Sequence, residues 1–314
     1  MNNQNNIIQR KILVTGGTGI VGNSLKKLIN EINNKNDIWL FISSKDCDLT
    51  NYQDTCSLFK RELPTHVIHL AVKLMNGNDM KKYPSSILHN NTMININVLK
   101  CSHDFKVKKV ISVLSSFAYP KNIKMPIEEN DLHNGKYHEN YESYAMSKRH
   151  LEVLSRSYCD EYCDNFVTVI PTNIFGPTIN LRNDGPVIES FIKKCIDSKN
   201  TGCNVNIFGS GNECRQFCYA PDLSKILLWI LDNYNDKNPL NITGYEIAIK
   251  DILNIISSYL NVQDKIIFDN QISNSPLYRT VSDNKIKQLY KEYHMTNINI
   301  AIHQTIDYAL QFLK

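Results

Sequence analysis

The chain has 314 residues, of which 42% are hydrophobic and 21% are charged, values that are typical of a globular protein and exclude a wholly disordered one. Lys and Arg number 35 against 31 Asp and Glu, so the formal net charge is only +4. No basic run of the kind that a nucleic-acid-binding arm needs is present. The length predicts two domains, or one large domain with an appendage.

Nine scattered cysteines indicate reduced thiols used as small hydrophobic side chains. Both Cys159/Cys163 and Cys214/Cys218 are four residues apart, which matches neither a CxxC redox pair nor the usual zinc spacing, so no metal is expected. Residues 1–10 lack the apolar segment of a secretory signal, and no apolar run approaches the ~20 residues of a membrane span. We therefore expect a cytoplasmic protein without membrane contact.

Short β-branched runs alternate with longer helical patterns through the first 171 residues, which predicts βαβ units and a parallel sheet. The predicted strands are Lys11–Thr15, Ile38–Ser43, His66–Ala71, Lys109–Leu114 and Phe166–Pro171. The predicted helices are Ile20–Ile32, Asn51–Arg61, Pro84–Phe105 and Tyr141–Tyr162. The predicted fold class is α/β, with a Rossmann-type, doubly wound parallel sheet.

The pattern loosens after Pro177, and a smaller α/β domain is predicted there. Its predicted elements are a polar loop at 180–185, a strand at 204–208 before the turn 209–211, and helices at 186–198, 221–233, 249–260 and 298–313. The division is into residues 1–177, for the cofactor, and residues 178–314, for the substrate, with some chain crossing back to the first domain. The substrate is expected between the two domains.

Three glycines follow the first predicted strand in the order GxxGxxG. Gly16 permits a tight turn, Gly19 lets the backbone approach a pyrophosphate, and Gly22 allows close helix–strand packing. The amino terminus of the next helix offers free N–H groups and the positive end of its dipole to phosphates. A glycine triplet alone is a weak indicator, but its place in a βαβ series predicts a dinucleotide site.

The second predicted strand ends in Ser43, Ser44 and Lys45, where an NAD-binding protein would carry an acidic residue for the ribose 2′-hydroxyl. Small donors and a cation suit a 2′-phosphate, so NADP(H) is the predicted cofactor. Asp48 is interpreted either as a contact to the adenine amino group or as a surface turn residue.

Tyr144 and Lys148 form a YxxxK motif on one face of a predicted helix. The ammonium is expected to lower the tyrosine pKa from its usual value near 10 and so make Tyr144 an acid/base near neutrality. Ser115 and Ser116 follow the fourth predicted strand, at the sheet edge where ligands bind. Ser115 is expected to hydrogen-bond the reacting oxygen.

These features resemble the extended branch of the short-chain dehydrogenase/reductase superfamily, and within it the GDP-L-fucose synthase family over nearly the whole chain. The phrases that carry the resemblance are ILVTGGTGIVG, SSKDCDLT, PTHVIHLA, VIPTNIFGP and RQFCYAPDL. The resemblance implies an enzyme that epimerises carbons 3 and 5 of GDP-4-keto-6-deoxy-mannose and reduces its carbon-4 ketone with NADPH. It also implies a homodimer, for which helices 84–105 and 141–162 are candidate contact faces, although their apolar stripes fit a core equally well.

The resemblance further implies roles for individual residues. Ser115, Tyr144 and Lys148 would form the catalytic set, and Arg215 would either meet the diphosphate or form a surface ion pair. The residues implied at the cofactor are Gly16, Gly19, Ile20, Val21, Gly22, Ser44, Lys45, Asp48, Leu49, Leu70, Ala71, Asn91, Lys148 and Pro171. Those implied at the substrate are Ser116, Asn173, Lys194, Phe208, Arg215 and Arg279.

The sequence departs from the family where epimerisation needs an acid and a base. Phe117 and Pro186 stand in place of the family's Cys and His, and neither side chain can carry a proton. Candidate substitutes lie elsewhere in the sequence, namely Cys218, Cys214, Asp184 and His89. The loop 272–276 also differs from the family pattern, and Phe208 replaces a Trp. The sequence therefore leaves open which sugar and which nucleobase the substrate carries.

The leading hypothesis is an NADPH-dependent 4-keto reductase of a nucleotide-linked 4-keto-6-deoxyhexose, with GDP-4-keto-6-deoxy-mannose or its epimerised form as the first candidate. One alternative is the complete bifunctional epimerase/reductase with displaced proton-carrying groups. Another is a catalytically inactive NADP-binding regulatory subunit, which the intact Ser115, Tyr144 and Lys148 set argues against.

Overall fold

The computed structural model describes residues 9–33, 36–73, 80, 82–269 and 279–312. The strands are β1 Lys11–Thr15, β2 Ile38–Ile42, β3 His66–His69, β4 Lys109–Val113, β5 Phe166–Pro171, β6 Asn173–Phe175, β7 Val205–Phe208, β8 Cys214–Tyr219, β9 Leu240–Ile242, β10 Tyr245–Ala248 and β11 Ile266–Asp269. The α-helices are α1 Ile20–Glu31, α2 Tyr52–Glu62, α3 Pro84–Asp104, α4 Glu142–Tyr162, α5 Val187–Thr201, α6 Ala220–Asn233, α7 Ile249–Leu260, α8 Asn284–Leu289 and α9 Ile298–Phe312. The predicted loop 272–276 lies outside the described residues.

Six parallel strands form the central sheet in the spatial order β2-β1-β3-β4-β5-β9. The chain moves outward from β1 in one direction to β2 and in the other through β3, β4 and β5. This reversal creates a switch point between β1 and β3, and ligands bind at the carboxyl edge of such a point. The predicted α/β class with a doubly wound parallel sheet is confirmed.

Helices cover both faces of this sheet because its strands are apolar on both faces. On one face Ile12 and Val14 pack with Val21, Leu25 and Ile29 of α1 and with the apolar stripe of α6. On the other face the intervening strand residues, Leu13 among them, pack with α2, α3 and α4. Such burial on two sides is what distinguishes parallel-sheet strands from the alternating strands of half-exposed sheets.

A second group of elements forms two small sheets outside the central one. β10, β8 and β6 make a three-stranded sheet, and β11 pairs in parallel with β7. Helices α5, α7 and α9 supply most of the apolar core beneath them. We call these sheets and helices the second lobe.

The chain crosses back from the second lobe into the central sheet. β9 pairs with β5 at the sheet edge, and α6 packs beside α1. The division at residue 177 stays a prediction, and α6 and β9 are the crossing segments. β9 was not predicted because a run of three residues is too short to show a period.

Two further structural findings concern cysteines and membrane spans. All nine cysteines are free thiols. Among the described residues, none of the helices has both the length and the apolar character that crossing a bilayer requires.

Candidate active site

The glycine-rich turn leads from β1 into α1 at the switch point. Gly16 has φ +69°, and a Cβ there would lie 2.9 Å from the backbone nitrogen of Ala71. A Cβ at Gly22 would lie 2.7 Å from the Gly16 carbonyl oxygen, so α1 packs directly on the turn. Gly19 precedes α1, whose first turn holds no acidic side chain. The turn therefore leaves a cradle of backbone N–H groups for a phosphate.

The end of β2 carries the side chains that were predicted for the 2′-phosphate. Ser44 and Lys45 are exposed there. The carboxylate of Asp46 accepts hydrogen bonds from the Ser43 N–H and hydroxyl at 2.8 and 2.7 Å, which hold its pKa below the ordinary value. The Asp48 carboxylate similarly accepts two bonds from Thr50, as in a surface turn.

Ser115, Tyr144 and Lys148 come together beyond β4, as their predicted roles require. Tyr144 shares a hydrogen bond with Ser115, and the Lys148 ammonium donates to the Val113 carbonyl at 2.7 Å. The Lys148 nitrogen lies 5.9 Å from the centre of the Tyr144 ring. Tyr144 and Lys148 are both buried.

Burial shifts the pKa of Tyr144 and the pKa of Lys148 in the directions that favour their neutral forms. It raises the pKa of Tyr144 to about 12, against a smaller lowering by the Ser115 hydrogen bond, and it lowers the pKa of Lys148 to about 8. The expected net lowering of the tyrosine pKa is therefore wrong in this structure, because desolvation of the phenolate raises the pKa and outweighs the Ser115 hydrogen bond. At neutral pH Tyr144 is a protonated acid beside a charged lysine.

A buried hydrogen-bond chain ties the catalytic helix to the switch point. The Ala71 N–H donates to the Thr15 hydroxyl (3.2 Å), which bonds the Nδ1 of His69 (2.8 Å). His69 Nε2 then meets the Asn95 amide oxygen (3.1 Å), and the Asn95 amide nitrogen donates to the Ser147 carbonyl (3.1 Å). Burial lowers the pKa of His69 to about 4, so its ring is neutral and each ring nitrogen has a fixed role.

Asn91 uses its side chain on the backbone of the protein. Its amide oxygen accepts the Lys73 N–H at 2.7 Å, and its nitrogen donates to the carbonyls of Lys73 and Ile87. These bonds fix the strand extension that contains Leu70 and Ala71 beside Gly16. A contribution of Asn91 to cofactor binding would therefore pass through the position of this segment.

Two arginines hold the loop that follows Ser115 from opposite directions. Arg149 of α4 donates to the carbonyls of Ala118 and Gly135 at 2.7 and 2.9 Å. Arg279 reaches the carbonyls of Ser116, Tyr119 and Pro120 at 3.3–3.4 Å. The loop position is thus set by contacts that no local pattern predicts, and Arg149 was missed by sequence reasoning.

Arg279 and Arg215 lie close enough for their charges to interact. Burial lowers the pKa of Arg279, and the charge of Arg215 lowers it further. Two guanidinium groups held near each other create a positive potential that suits a bidentate phosphate ligand. Burial lowers the pKa of Arg215, and the side chain of Tyr141 lies within electrostatic range of this arginine.

Phe117 is 39% exposed, and its ring lies 4.7 Å from the ring of Tyr141, centre to centre. The Phe117 N–H donates to the Ser115 hydroxyl oxygen at 3.3 Å, so the aromatic ring follows directly from the catalytic serine. Tyr141 and Tyr144 also line one pocket of about 290 Å³, together with residues of α3. Tyr141 ends a 3-10 turn directly before α4, and sequence reasoning placed it at a helix start without giving it a role in the site.

The other predicted substrate residues lie farther along the chain. The Asn173 amide donates to the Gln216 carbonyl at 2.8 Å, Lys194 is half-buried on α5, and Phe208 is 74% exposed at the end of β7. Among the described residues, no hydrogen bond or ring contact joins Lys194 or Phe208 to Ser115, Tyr144 or Lys148. Pro171, the last residue of β5, is buried at the carboxyl edge of the sheet.

The cofactor-side residues fit NADP(H). A side chain at Gly16 would clash with the backbone of Leu70 and Ala71, and one at Gly22 would clash with the turn itself, so both glycines keep the turn tight. The β2 end offers hydroxyls and a lysine for a 2′-phosphate. The residues predicted to hold the group stay a prediction, and they are Gly16, Gly19, Ile20, Val21, Gly22, Ser44, Lys45, Asp48, Leu49, Leu70, Ala71, Asn91, Lys148 and Pro171. Leu49 is itself positioned by Asn97, whose amide donates to its carbonyl at 2.9 Å.

Comparisons with known proteins agree with this geometry. The profile of the NAD dependent epimerase/dehydratase family matches residues 12–243. A GDP-L-fucose synthase from Dictyostelium discoideum is 38% identical over 96% of both chains. The crystal structure of a GDP-L-fucose synthetase from Naegleria fowleri bound to NADP has a TM-score of 0.90 at 33% identity, covering 96% of this chain and 94% of that one.

A more distant structure has the same fold. It is the GDP-mannoheptose C4 reductase of Campylobacter jejuni with NADP bound, with a TM-score of 0.85, 23% identity, and coverage of 96% of this chain and 98% of that one.

Proposed function

The chain belongs to the NAD dependent epimerase/dehydratase family and is an NADP-dependent oxidoreductase, and we propose that it reduces the carbon-4 ketone of a GDP-linked 4-keto-6-deoxyhexose without epimerising carbons 3 and 5. The first candidate substrate is GDP-4-keto-6-deoxy-mannose or its epimerised form. The GDP-L-fucose synthase relative supports the guanine nucleotide.

One contrast within the site carries the proposal. The groups that hydride transfer needs, Ser115, Tyr144 and Lys148, converge at the carboxyl edge of the sheet. The two positions that epimerisation needs hold Phe117 and Pro186, which have no proton to exchange. A chain that keeps one chemical set and lacks the other is best described as a reductase.

The remaining candidates for proton exchange do not supply a matched acid and base. Cys218 is fully buried in the core, and burial raises its pKa far above the ordinary thiol value. Asp184 pairs with Arg182 at 3.0 Å on the surface. His89 is exposed on α3. Cys214 is half-buried at the start of β8, and its thiol donates to the Asn212 carbonyl at 3.9 Å. Epimerisation needs two groups on opposite faces of one sugar ring, and this scattered set does not meet that requirement.

Each catalytic side chain has a step that its environment supports. NADPH supplies a hydride to the carbonyl carbon when it is bound. Ser115 hydrogen-bonds the carbonyl oxygen, and Tyr144, protonated because of its raised pKa, donates a proton to that oxygen as negative charge develops. The charge of Lys148 then stabilises the phenolate until a proton returns to it.

The two alternative hypotheses predict different results when the protein is incubated with NADPH and the keto-sugar. A bifunctional synthase would exchange protons at carbons 3 and 5 in addition to reducing carbon 4. An inactive NADP-binding subunit would gain stability with NADPH but would not oxidise it. The intact set of Ser115, Tyr144 and Lys148 favours turnover over simple binding.

The test is incubation with NADPH and GDP-4-keto-6-deoxy-mannose in deuterated water, with the product read by NMR. We expect a carbon-4 alcohol without deuterium at carbons 3 and 5. Deuterium at both carbons of a GDP-L-fucose product would establish the bifunctional reading and refute the proposal. Binding of NADPH without oxidation by any GDP-linked 4-ketohexose would establish the inactive reading.

A further inference from the structure

The rings of Phe117 and Tyr141, here called the aromatic pair, lie beside the catalytic hydroxyls and are not used by hydride transfer. The Phe117 N–H bonds Ser115, and Tyr141 shares a pocket with Tyr144. The two ring centres are 4.7 Å apart, with an angle of 44° between the rings. Phe117 is 39% exposed, although a large apolar ring next to a polar site would usually be covered.

Two arginines lie near the aromatic pair. Tyr141 lies near Arg215, and Arg215 in turn lies near Arg279. Arg279 reaches the carbonyls of Ser116 and Tyr119, on either side of Phe117 in the same loop. The aromatic pair therefore adjoins both the catalytic hydroxyl of Ser115 and the two guanidinium groups.

Both neighbours have a counterpart in a nucleotide-linked 4-ketohexose. The diphosphate is attached at carbon 1, and the ketone to be reduced is at carbon 4, across the ring. A ligand with its diphosphate at the arginines and its ketone at Ser115 and Tyr144 would bring its sugar ring next to the aromatic pair. The C–H face of a hexose and a carbon-6 methyl group are apolar surfaces that an aromatic ring can bury.

The loop that carries Phe117 is held by hydrogen bonds to the rest of the protein. Arg149 bonds the Ala118 carbonyl, and the buried Tyr119 hydroxyl donates to the Asn241 amide oxygen at 2.6 Å. A fixed ring costs less entropy to bind against than a mobile one. Pre-organisation of this kind favours a binding role for Phe117.

We propose that the aromatic pair is the platform on which the hexose ring of the substrate lies, so that Phe117 and Tyr141 determine specificity for a sugar with an apolar face. This inference rests on the proposed function, because it takes a nucleotide-linked hexose as the ligand. It assigns the ring of Phe117 a binding role at the position where the family carries its epimerisation cysteine.

The test compares the affinity of GDP with that of GDP-mannose, a nucleotide-linked hexose without a ketone, by isothermal titration. The proteins are the wild type, Phe117→Ala, Tyr141→Ala, the conservative Phe117→Tyr, and Phe312→Ala as a control that removes an exposed ring from the C-terminal helix. NADPH-induced thermal stabilisation verifies that each variant is folded. No turnover is needed, so the result does not depend on the reductase assay.

We expect the wild type, Phe117→Tyr and Phe312→Ala to bind GDP-mannose about tenfold more tightly than GDP, the size of one good aromatic contact. Phe117→Ala and Tyr141→Ala should bind the two ligands with nearly equal affinity, with GDP affinity unchanged. Retention of the wild-type ratio in both alanine variants would overturn the platform and leave the proposed function intact. Equal affinities of the wild type for GDP and GDP-mannose would also overturn the platform and leave the proposed function intact. Binding of neither ligand by the wild type would refute the GDP-linked substrate and the platform together.

Discussion

The cofactor edge and the sugar edge of the site are built in different ways. The glycine turn, the end of β2 and the Leu70–Ala71 segment each form within a few residues, and β1 brings them together through sheet pairing. The sugar edge joins a loop after β4, the start of α4, β8 and residue 279. Arg279 alone bonds carbonyls 159–163 positions away in the chain. Local rules suffice for the first edge, whereas the second exists only in the folded chain.

The largest expected effect is on ketone reduction itself, which needs both the cofactor edge and the sugar edge. Tyr144→Phe keeps the buried ring and removes the acid, so we expect kcat for ketone reduction to fall about 10³-fold. Tyr162→Phe, on the exposed end of the same helix, should leave kcat unchanged. Thermal stabilisation by NADPH should persist in both variants. Retention of more than a tenth of the wild-type kcat by Tyr144→Phe would remove Tyr144 from the proposed proton-donor role.

The next prediction distinguishes a loss of cofactor binding at the glycine turn from the general cost of backbone strain. Gly16→Ala places a methyl group 2.9 Å from the Ala71 nitrogen at φ +69°, so we expect NADPH affinity to fall more than about tenfold. Gly202→Ala is the matched control, because Gly202 has φ +75° but open space around the new Cβ. It should cost stability alone. Equal NADPH affinity in both variants would show that the turn does not hold the cofactor.

The pH dependence of kcat tests the lysine at the catalytic end of β4. Because the pKa of Lys148 is about 8 and that of Tyr144 about 12, the lysine loses its charge first as pH rises. We expect kcat to decline about tenfold per pH unit above 8 and Lys148→Met to lack this inflection. A profile that stays flat to pH 10 would contradict the assignment.

The lowered pKa of Lys148 has the opposite consequence for stability, because the same rise in pH that lowers kcat increases the free energy of unfolding. The folded chain holds the Lys148 proton less tightly than the unfolded chain, whose lysine has a pKa near 10.5. This group therefore makes the free energy of unfolding rise between about pH 8 and 10.5, and Lys148→Met should weaken that rise. Urea titrations of the variant and the wild type at several pH values measure the difference.

The smallest effect concerns a second buried lysine, at the other end of β4. Lys109 donates to the carbonyls of Ile230 and Leu231 at 2.6 and 3.0 Å, which pairs the carboxyl end of α6 with the sheet. Lys109→Met leaves these carbonyls without that donor, so we expect the free energy of unfolding to fall by about 2 kcal/mol. Because Lys109 is far from the carboxyl edge, kcat should not change. A loss of activity without a loss of stability would contradict this structural role.

The sequence predicted the central sheet well because its signals are periodic. The bounds of the first five strands agree with the structure to within two residues, and the fold class follows from them. The strands β6, β8, β9, β10 and β11 and the short helix α8 were not predicted. Most of them are only three or four residues long, and β8 pairs with segments distant in the chain, so tertiary contacts decide their structure.

The site was predictable where residue identity decides the chemistry and less so where burial does. Ser115, Tyr144 and Lys148 were found from spacing, but the direction of the Tyr144 pKa shift depends on desolvation, which spacing does not reveal. Asn91 was predicted as a cofactor residue, and in the structure its side chain bonds only backbone groups of the protein. Asn95 was missed, yet a buried asparagine one helical turn after Asn91 is a signal that a periodicity analysis can use.

The return of the chain into the central sheet at β9 has a consequence for protein synthesis. β5 is complete at residue 171, but its outer neighbour starts at residue 240. A ribosome needs roughly 3 to 14 seconds to add the residues between them. During that time the nascent chain carries a finished strand with an open hydrogen-bonding edge, which is the kind of surface that captures other unfolded chains. Demand for chaperones should therefore be concentrated in this interval of translation.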